Sequence, residues 1–192
     1  MNLSNKITMS RLILAFVFMG FLFVDGFIFK IIALVTFSIA SLTDLLDGWL
    51  ARKRNEITDL GKLLDPIADK VLVLAAFLAF VEMNLIWAWM VIIIIIREFL
   101  ITGLRILAMT KGKVLEAEMA GKHKTVSQMV TVFFILIVLI LKDVGARYNF
   151  WTASIENAVN YGITVLMFIT VTLTVTSGFS YLWRNRQIVR TL

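Results

Sequence analysis

The chain has 192 residues, 60% of them hydrophobic and only 17% charged; a soluble domain carries about 45–50% apolar and roughly 25% charged residues, so one globular core is excluded. A mean hydropathy of +0.90 and a single proline, Pro66, point to a helical bundle in lipid. The net charge of +6 does not indicate nucleic acid, because the basic residues fall between apolar spans, where they suit anionic lipid and phosphate; the lack of cysteine excludes disulfides.

A hydrocarbon core of about 30 Å takes about 20 helical residues. Six segments meet this, at 8–24, 27–50, 60–80, 85–109, 122–141 and 158–182. The expected fold is therefore an all-α integral membrane protein, six transmembrane helices in one bundle, with a single domain over 1–192.

In the first span, Lys6 and Arg11 precede the apolar run Leu12–Val24, as in a signal peptide, but no small-residue cleavage site follows. An uncleaved span begins near Thr8 and carries Arg11 about a turn inside. Arg11 then either snorkels to the interface or points into a polar cavity.

Orientation follows from the loop cations. Lys6, Arg11, Arg52–Arg54, Lys111, Lys113, Lys122, Lys124, Arg184, Arg186 and Arg190 fall on one side; Lys30, Lys142 and Arg147 fall on the other. Twelve against three places both termini in the cytoplasm. The opposite side carries the interfacial aromatics Trp87, Trp89, Tyr148 and Trp151.

The second and third spans cannot reach full length on apolar residues alone. Ile31–Thr43 needs the residues after it, and Val71–Val81 needs those before it. Asp44 and Asp47 are drawn into one helix end, and Asp65 and Asp69 into the next. Spacings of three and four put each pair on one helix face. Four carboxylates at the membrane's inner edge are costly unless paired or bound to cations. Pairing with Lys62, Lys70 or Arg52 is the bland reading; a cup for divalent cations is the functional one, and hard oxygen donors favour Mg²⁺ or Mn²⁺. Gly48, Ala51 and Gly61 leave the faces beside the acids small, either for a flat ligand or for close helix packing.

Asp44-x-x-Asp47-Gly48-x-x-Ala51-Arg52, eight residues, then Gly61-x-x-x-Asp65-x-x-x-Asp69 matches every fixed position of the signature of the CDP-alcohol phosphotransferases. The chain resembles that family over nearly its whole length. The resemblance implies two divalent cations held by Asp44, Asp47, Asp65 and Asp69, with Asp69 also the general base. It implies a nucleotide bordered by Gly48, Ala51 and Gly61, with Arg52 and Thr58 close by. It also implies homodimers formed through the membrane helices, and an active site on the cytoplasmic face of the cell membrane.

Three further stretches resemble the branch of the family that transfers a phosphatidyl group from CDP-diacylglycerol to sn-glycerol 3-phosphate and releases CMP. They are Asn5-x-x-Thr8-x-x-Arg11, the segment Lys62–Lys70, and Arg97-Glu98-x6-Arg105 followed by Gly121-Lys122-x-Lys124-Thr125-x-x-Gln128. At the N-terminus Leu3 and Ser4 stand where many relatives carry a proline. Arg105, Lys122 and Lys124 would grip the acceptor phosphate, with Asn5, Thr8, Arg11 and Arg97 as further candidates; a Glu98–Arg105 ion pair is the bland alternative. His123, between two lysines, reads as a loop residue and not as a catalyst.

Rival functions remain. A sibling enzyme would use serine or inositol phosphate as acceptor. Intramembrane prenyltransferases keep two aspartate motifs far apart, whereas these four acids lie within 44–69. A divalent-cation transporter would want its acids nearer the bilayer midplane.

Overall fold

The computed structural model describes the backbone of residues 3–54, 59–112 and 119–186, and the side chains of 9–43, 70–112 and 121–186. Among the described residues there are six α-helices and no strand: α1 (Leu3–Phe23), α2 (Phe27–Arg54), α3 (Asp59–Glu82), α4 (Ala88–Thr110), α5 (Met119–Arg147) and α6 (Ala153–Arg184).

Most of these helices overrun the segments expected from hydropathy, because hydrocarbon thickness limits the apolar stretch and not the helix. Thus α5 continues past the expected 141 to Arg147, whose charge suits a helix C-terminus. The sixth helix starts at Ala153 and not at 158, because Thr152 caps it: its side chain accepts from the Ile155 N–H, and Glu156 lies in the first turn. Lys142 binds Glu156 at 2.6 Å across the α5–α6 connection. That connection is tight because Gly145 has no side chain; a Cβ there would stand 2.9 Å from Trp151 Cβ. At the α3–α4 turn Asn84 takes φ 57°, and the Leu85 N–H reaches back to the Phe80 carbonyl.

The core joins the helices through Phe18, Phe37, Phe77, Phe80, Ile94, Ile135 and Met167, all fully buried. Phe18 and Phe37 tie α1 to α2 at 5.4 Å, and Phe133 of α5 meets Phe37 edge-on at 5.3 Å. Helix α1 packs on α2 and α3, α5 packs on α2 and α6, and α4 sits between α3 and α6.

Large apolar side chains are exposed on every helix. Phe16 of α1, Leu42 of α2, Leu78 of α3, Ile96 of α4, Val126 of α5 and Phe179 of α6 are all exposed. Water-facing surfaces do not carry apolar area on every element. Among the described residues, Gly121–Arg147 and Ala153–Arg184 are long and apolar enough by themselves to cross a membrane, and the described parts of α1 and α2, Met9–Phe23 and Phe27–Thr43, are apolar as well.

Burial places two cations, one against its sequence reading and one by deciding between two alternatives. Lys30 is not a loop charge. It is buried in the first turns of α2, and its Nζ donates to the carbonyls of Leu22 and Val24, closing the C-terminal end of α1. Arg11 is only 4% exposed, so it lies inside the protein and does not snorkel along its surface.

Candidate active site

The isoleucine run of α4 breaks at Arg97 and Glu98, and there the bundle interior turns polar. Glu98 is 5% exposed and meets side chains of α3 and α5 as well as its neighbour on α4. It forms an ion pair with Lys124 of α5, and its other oxygen lies 3.9 Å from Lys70 Nζ of α3. Arg97 approaches it at 3.4 Å, and Gln128, one turn beyond Lys124, donates to it at 3.5 Å. A buried carboxylate needs such partners, since an unpaired one would be expelled or protonated.

Helix α6 supplies the far wall. Ser177 accepts a hydrogen bond from Arg97 Nη2 at 2.9 Å and donates to the Thr174 carbonyl at 3.3 Å. One turn deeper, the hydroxyls of Thr131 and Thr170 meet at 2.9 Å between α5 and α6. Arg105 does not pair with Glu98. Two turns beyond Arg97 on α4, its guanidinium lies 5.9 Å from the centre of the Tyr181 ring.

These side chains enclose a cavity of about 620 Å³. Among the described residues its wall carries five cations (Lys70, Arg97, Arg105, Lys122 and Lys124) and one carboxylate, Glu98. Cations outnumber carboxylates among these described lining residues, and their guanidinium forks and ammonium donors suit phosphate.

The structure thus brings Arg97, Arg105, Lys122 and Lys124 together at one cavity. Lys122 is exposed at its rim and Lys124 is buried within it. His123 lies on the first turns of α5 and is exposed, so it is a helical residue and not a loop one; the helix begins three residues before Lys122 and takes in both lysines. Ser177 and Tyr181 are not legible as site residues from sequence alone, although Thr170, Thr174, Ser177 and Tyr181 recur at helical spacing as the buried polar stripe of α6.

The side chains of Asn5, Thr8, Asp44, Asp47, Gly48, Ala51, Arg52, Gly61, Asp65 and Asp69, and all of Thr58, lie outside the described residues. The backbone carries Asp44 and Asp47 on α2, and Asp65 and Asp69 on α3, so spacings of three and four are helical spacings. Lys70 of the cavity wall follows Asp69 directly, so this segment of α3 leads into the cavity. An all-carboxylate donor set suits hard divalent cations. Among the described residues no group of three His, Asp or Glu side chains could hold a metal ion.

An apolar helical bundle with a cation-walled cavity at one end, beside an aspartate-bearing pair of helices, is the architecture of a protein that handles phosphorylated ligands. The family model for CDP-alcohol phosphatidyltransferase matches residues 1–176, and the chain belongs to that family. It is 38% identical over 202 aligned residues to the CDP-diacylglycerol–glycerol-3-phosphate 3-phosphatidyltransferase of Bacillus subtilis strain 168, covering 99% of this chain and 98% of that protein. The protein of the same name from Rickettsia bellii is 33% identical, with 94% of this chain and 93% of that one covered. A probable phosphatidylglycerophosphate synthase of Mycobacterium tuberculosis is 30% identical, over 95% of this chain and 81% of that protein.

Proposed function

We propose that this chain transfers the phosphatidyl group of CDP-diacylglycerol to sn-glycerol 3-phosphate, giving phosphatidylglycerophosphate and CMP. The observation that carries this reading is the cavity wall, whose described residues include five cations and Glu98, beside the α3 segment that bears Asp65 and Asp69. A phosphorylated acceptor needs such a wall; serine, a zwitterion without phosphate, does not. The names of the relatives agree with it.

The protein works as a bundle of six transmembrane helices with both termini and the cavity on the cytoplasmic face of the cell membrane. Apolar residues exposed on all six helices support this, as does the excess of loop cations at the cavity's end. The donor's acyl chains then lie in the inner leaflet, and the protein acts as a homodimer.

Asp44, Asp47, Asp65 and Asp69 hold two divalent cations, Mg²⁺ or Mn²⁺, which when bound neutralise the donor pyrophosphate and make its β-phosphorus electrophilic. Gly48, Ala51 and Gly61 border the cytidine, with Arg52 and Thr58 near the nucleotide. Arg105, Lys122 and Lys124 hold the acceptor phosphate and so orient its 1-hydroxyl. Asp69 takes the hydroxyl proton as the oxygen bonds to the β-phosphorus and the bond from that phosphorus to CMP breaks. Positioning and electrostatics supply the catalysis, and no covalent intermediate with the protein is required.

The test is direct. Purified protein is offered CDP-diacylglycerol with glycerol 3-phosphate, serine or inositol phosphate, in Mg²⁺ or Mn²⁺, and the lipid product and CMP are identified. Phosphatidylglycerophosphate formed with stoichiometric CMP is expected. A different lipid would reassign the acceptor, and a lack of CMP release with every acceptor would remove the enzyme reading.

A further inference from the structure

We propose that Ser177 and Gly178 of α6 are positioning residues for the acceptor, seating Arg97 so that its guanidinium joins Arg105, Lys122 and Lys124 at the cavity. The inference rests on the reading of that cavity as the acceptor-phosphate site. Both residues lie just beyond the segment, 1–176, that the family model matches.

Arginine has a long side chain whose rotamer freedom must be removed before it can present a fixed fork. Three contacts remove it here. Ser177 Oγ accepts from Nη2 at 2.9 Å, and Glu98 lies 3.4 Å from Nη1. The third is a close approach between helices: a Cβ at Gly178 would stand 3.0 Å from Arg97 Cγ, 3.5 Å from Nε and 3.9 Å from Cδ. Cγ is near the root of the side chain, so it cannot yield without redirecting everything beyond it.

The Ser177 hydroxyl is oriented for the task. Its proton goes to the Thr174 carbonyl at 3.3 Å, which leaves its lone pairs for the guanidinium. Glu98 on α4 and Ser177 on α6 thus hold Arg97 from two sides, while Gly178 lets its stem lie flat against α6. The last helix, which carries none of the aspartate motif, in this way sets how the acceptor's phosphate is met.

The test uses the full-length protein in detergent or lipid with CDP-diacylglycerol and glycerol 3-phosphate. Gly178→Ala and Ser177→Ala are each expected to raise KM for glycerol 3-phosphate about tenfold, with KM for CDP-diacylglycerol within about twofold of wild type. Ser177→Thr, which keeps the hydroxyl, is expected to restore most of the loss. In an Arg97→Ala background, Gly178→Ala is expected to change the acceptor KM by less than about twofold, because its effect runs through the side chain already removed. Three outcomes overturn the proposal. One is an unchanged acceptor KM in both single variants. Another is an equal rise for both substrates with a lowered melting temperature, which marks plain helix packing. The third is full additivity with Arg97→Ala. A wild-type protein that does not use glycerol 3-phosphate overturns the underlying reading and this inference with it, whereas normal wild-type turnover with unaffected variants overturns this inference alone.

Discussion

Lys124 of α5 and Glu98 of α4 form an ion pair inside the cavity, so one cation assigned to the acceptor phosphate is already matched before any acceptor arrives. Glu98 also gathers Lys70 and Arg97, on α3 and α4. It therefore holds like charges together and competes with a phosphate for them.

Glu98→Gln is expected to lower thermal stability, because Lys124 is left buried without its counter-charge. Breaking a buried pair from one side costs about 3–5 kcal/mol. Added glycerol 3-phosphate is expected to raise the melting temperature of the variant more than that of wild type, since the dianion replaces the missing carboxylate. Melting curves in detergent, with and without glycerol 3-phosphate, check both points. An unchanged melting temperature would show that Glu98 is not what holds these cations together.

The aspartates give a second prediction. Asp44→Ala, Asp47→Ala and Asp65→Ala are each expected to abolish turnover at ordinary Mg²⁺ or Mn²⁺, since each removes an oxygen donor to a divalent cation. Chelation of the wild type should do the same, reversed by adding metal back. Near wild-type CMP release from any of the three variants would dissolve the four-carboxylate cup.

Much of this was legible in the sequence, and the reasons for what was not are physical. Helix number and order followed from apolar run lengths, which a bilayer imposes directly. The ends did not, because the capping of α6 by Thr152 and the run of α5 to Arg147 depend on polar residues outside the apolar stretch. That Arg105, Lys122 and Lys124 line one cavity was legible through the family resemblance and the need of a phosphorylated acceptor for cations, with Arg97 a further candidate. The choice of partner was not. Spacing along α4 allowed Glu98 to pair with Arg105, whereas Lys124 from another helix takes that place and Tyr181 lies beside Arg105. Lys30 read as a loop cation because sequence cannot tell a charge in water from one folded back onto the carbonyls of Leu22 and Val24.

Topology is checked in a chain that contains no cysteine. Tyr148 lies between α5 and α6 and is 71% exposed. Tyr148→Cys is expected to react with an impermeant thiol reagent from the outside of intact cells, and a cysteine replacing Lys111 only after the membrane is opened. The reverse pattern would invert the assigned orientation and put the cavity on the wrong side for a cytoplasmic acceptor.

Arg105 separates acceptor binding from donor binding. It is exposed at the cavity, lies over Tyr181 and does not pair with Glu98, so an incoming phosphate need not break an ion pair with Glu98 to reach it. Arg105→Ala is therefore expected to raise KM for glycerol 3-phosphate by about ten- to a hundredfold, the equivalent of losing a charge-assisted contact of ~1.5–3 kcal/mol. KM for CDP-diacylglycerol should barely move, because the donor is assigned to the α2 and α3 faces that carry the aspartates. Part of the loss should fall on kcat, since a loosely held acceptor presents its hydroxyl poorly to Asp69. Arg105→Lys should rescue only in part, because an ammonium cannot reproduce the planar fork or its stacking on an aromatic ring. Steady-state kinetics with each substrate varied in turn decides the matter. If Arg105→Ala kept normal acceptor kinetics while losing thermal stability, Arg105 would be a strut between α4 and α6, and the phosphate would have to be held by Lys122, Lys124 and Arg97 without it.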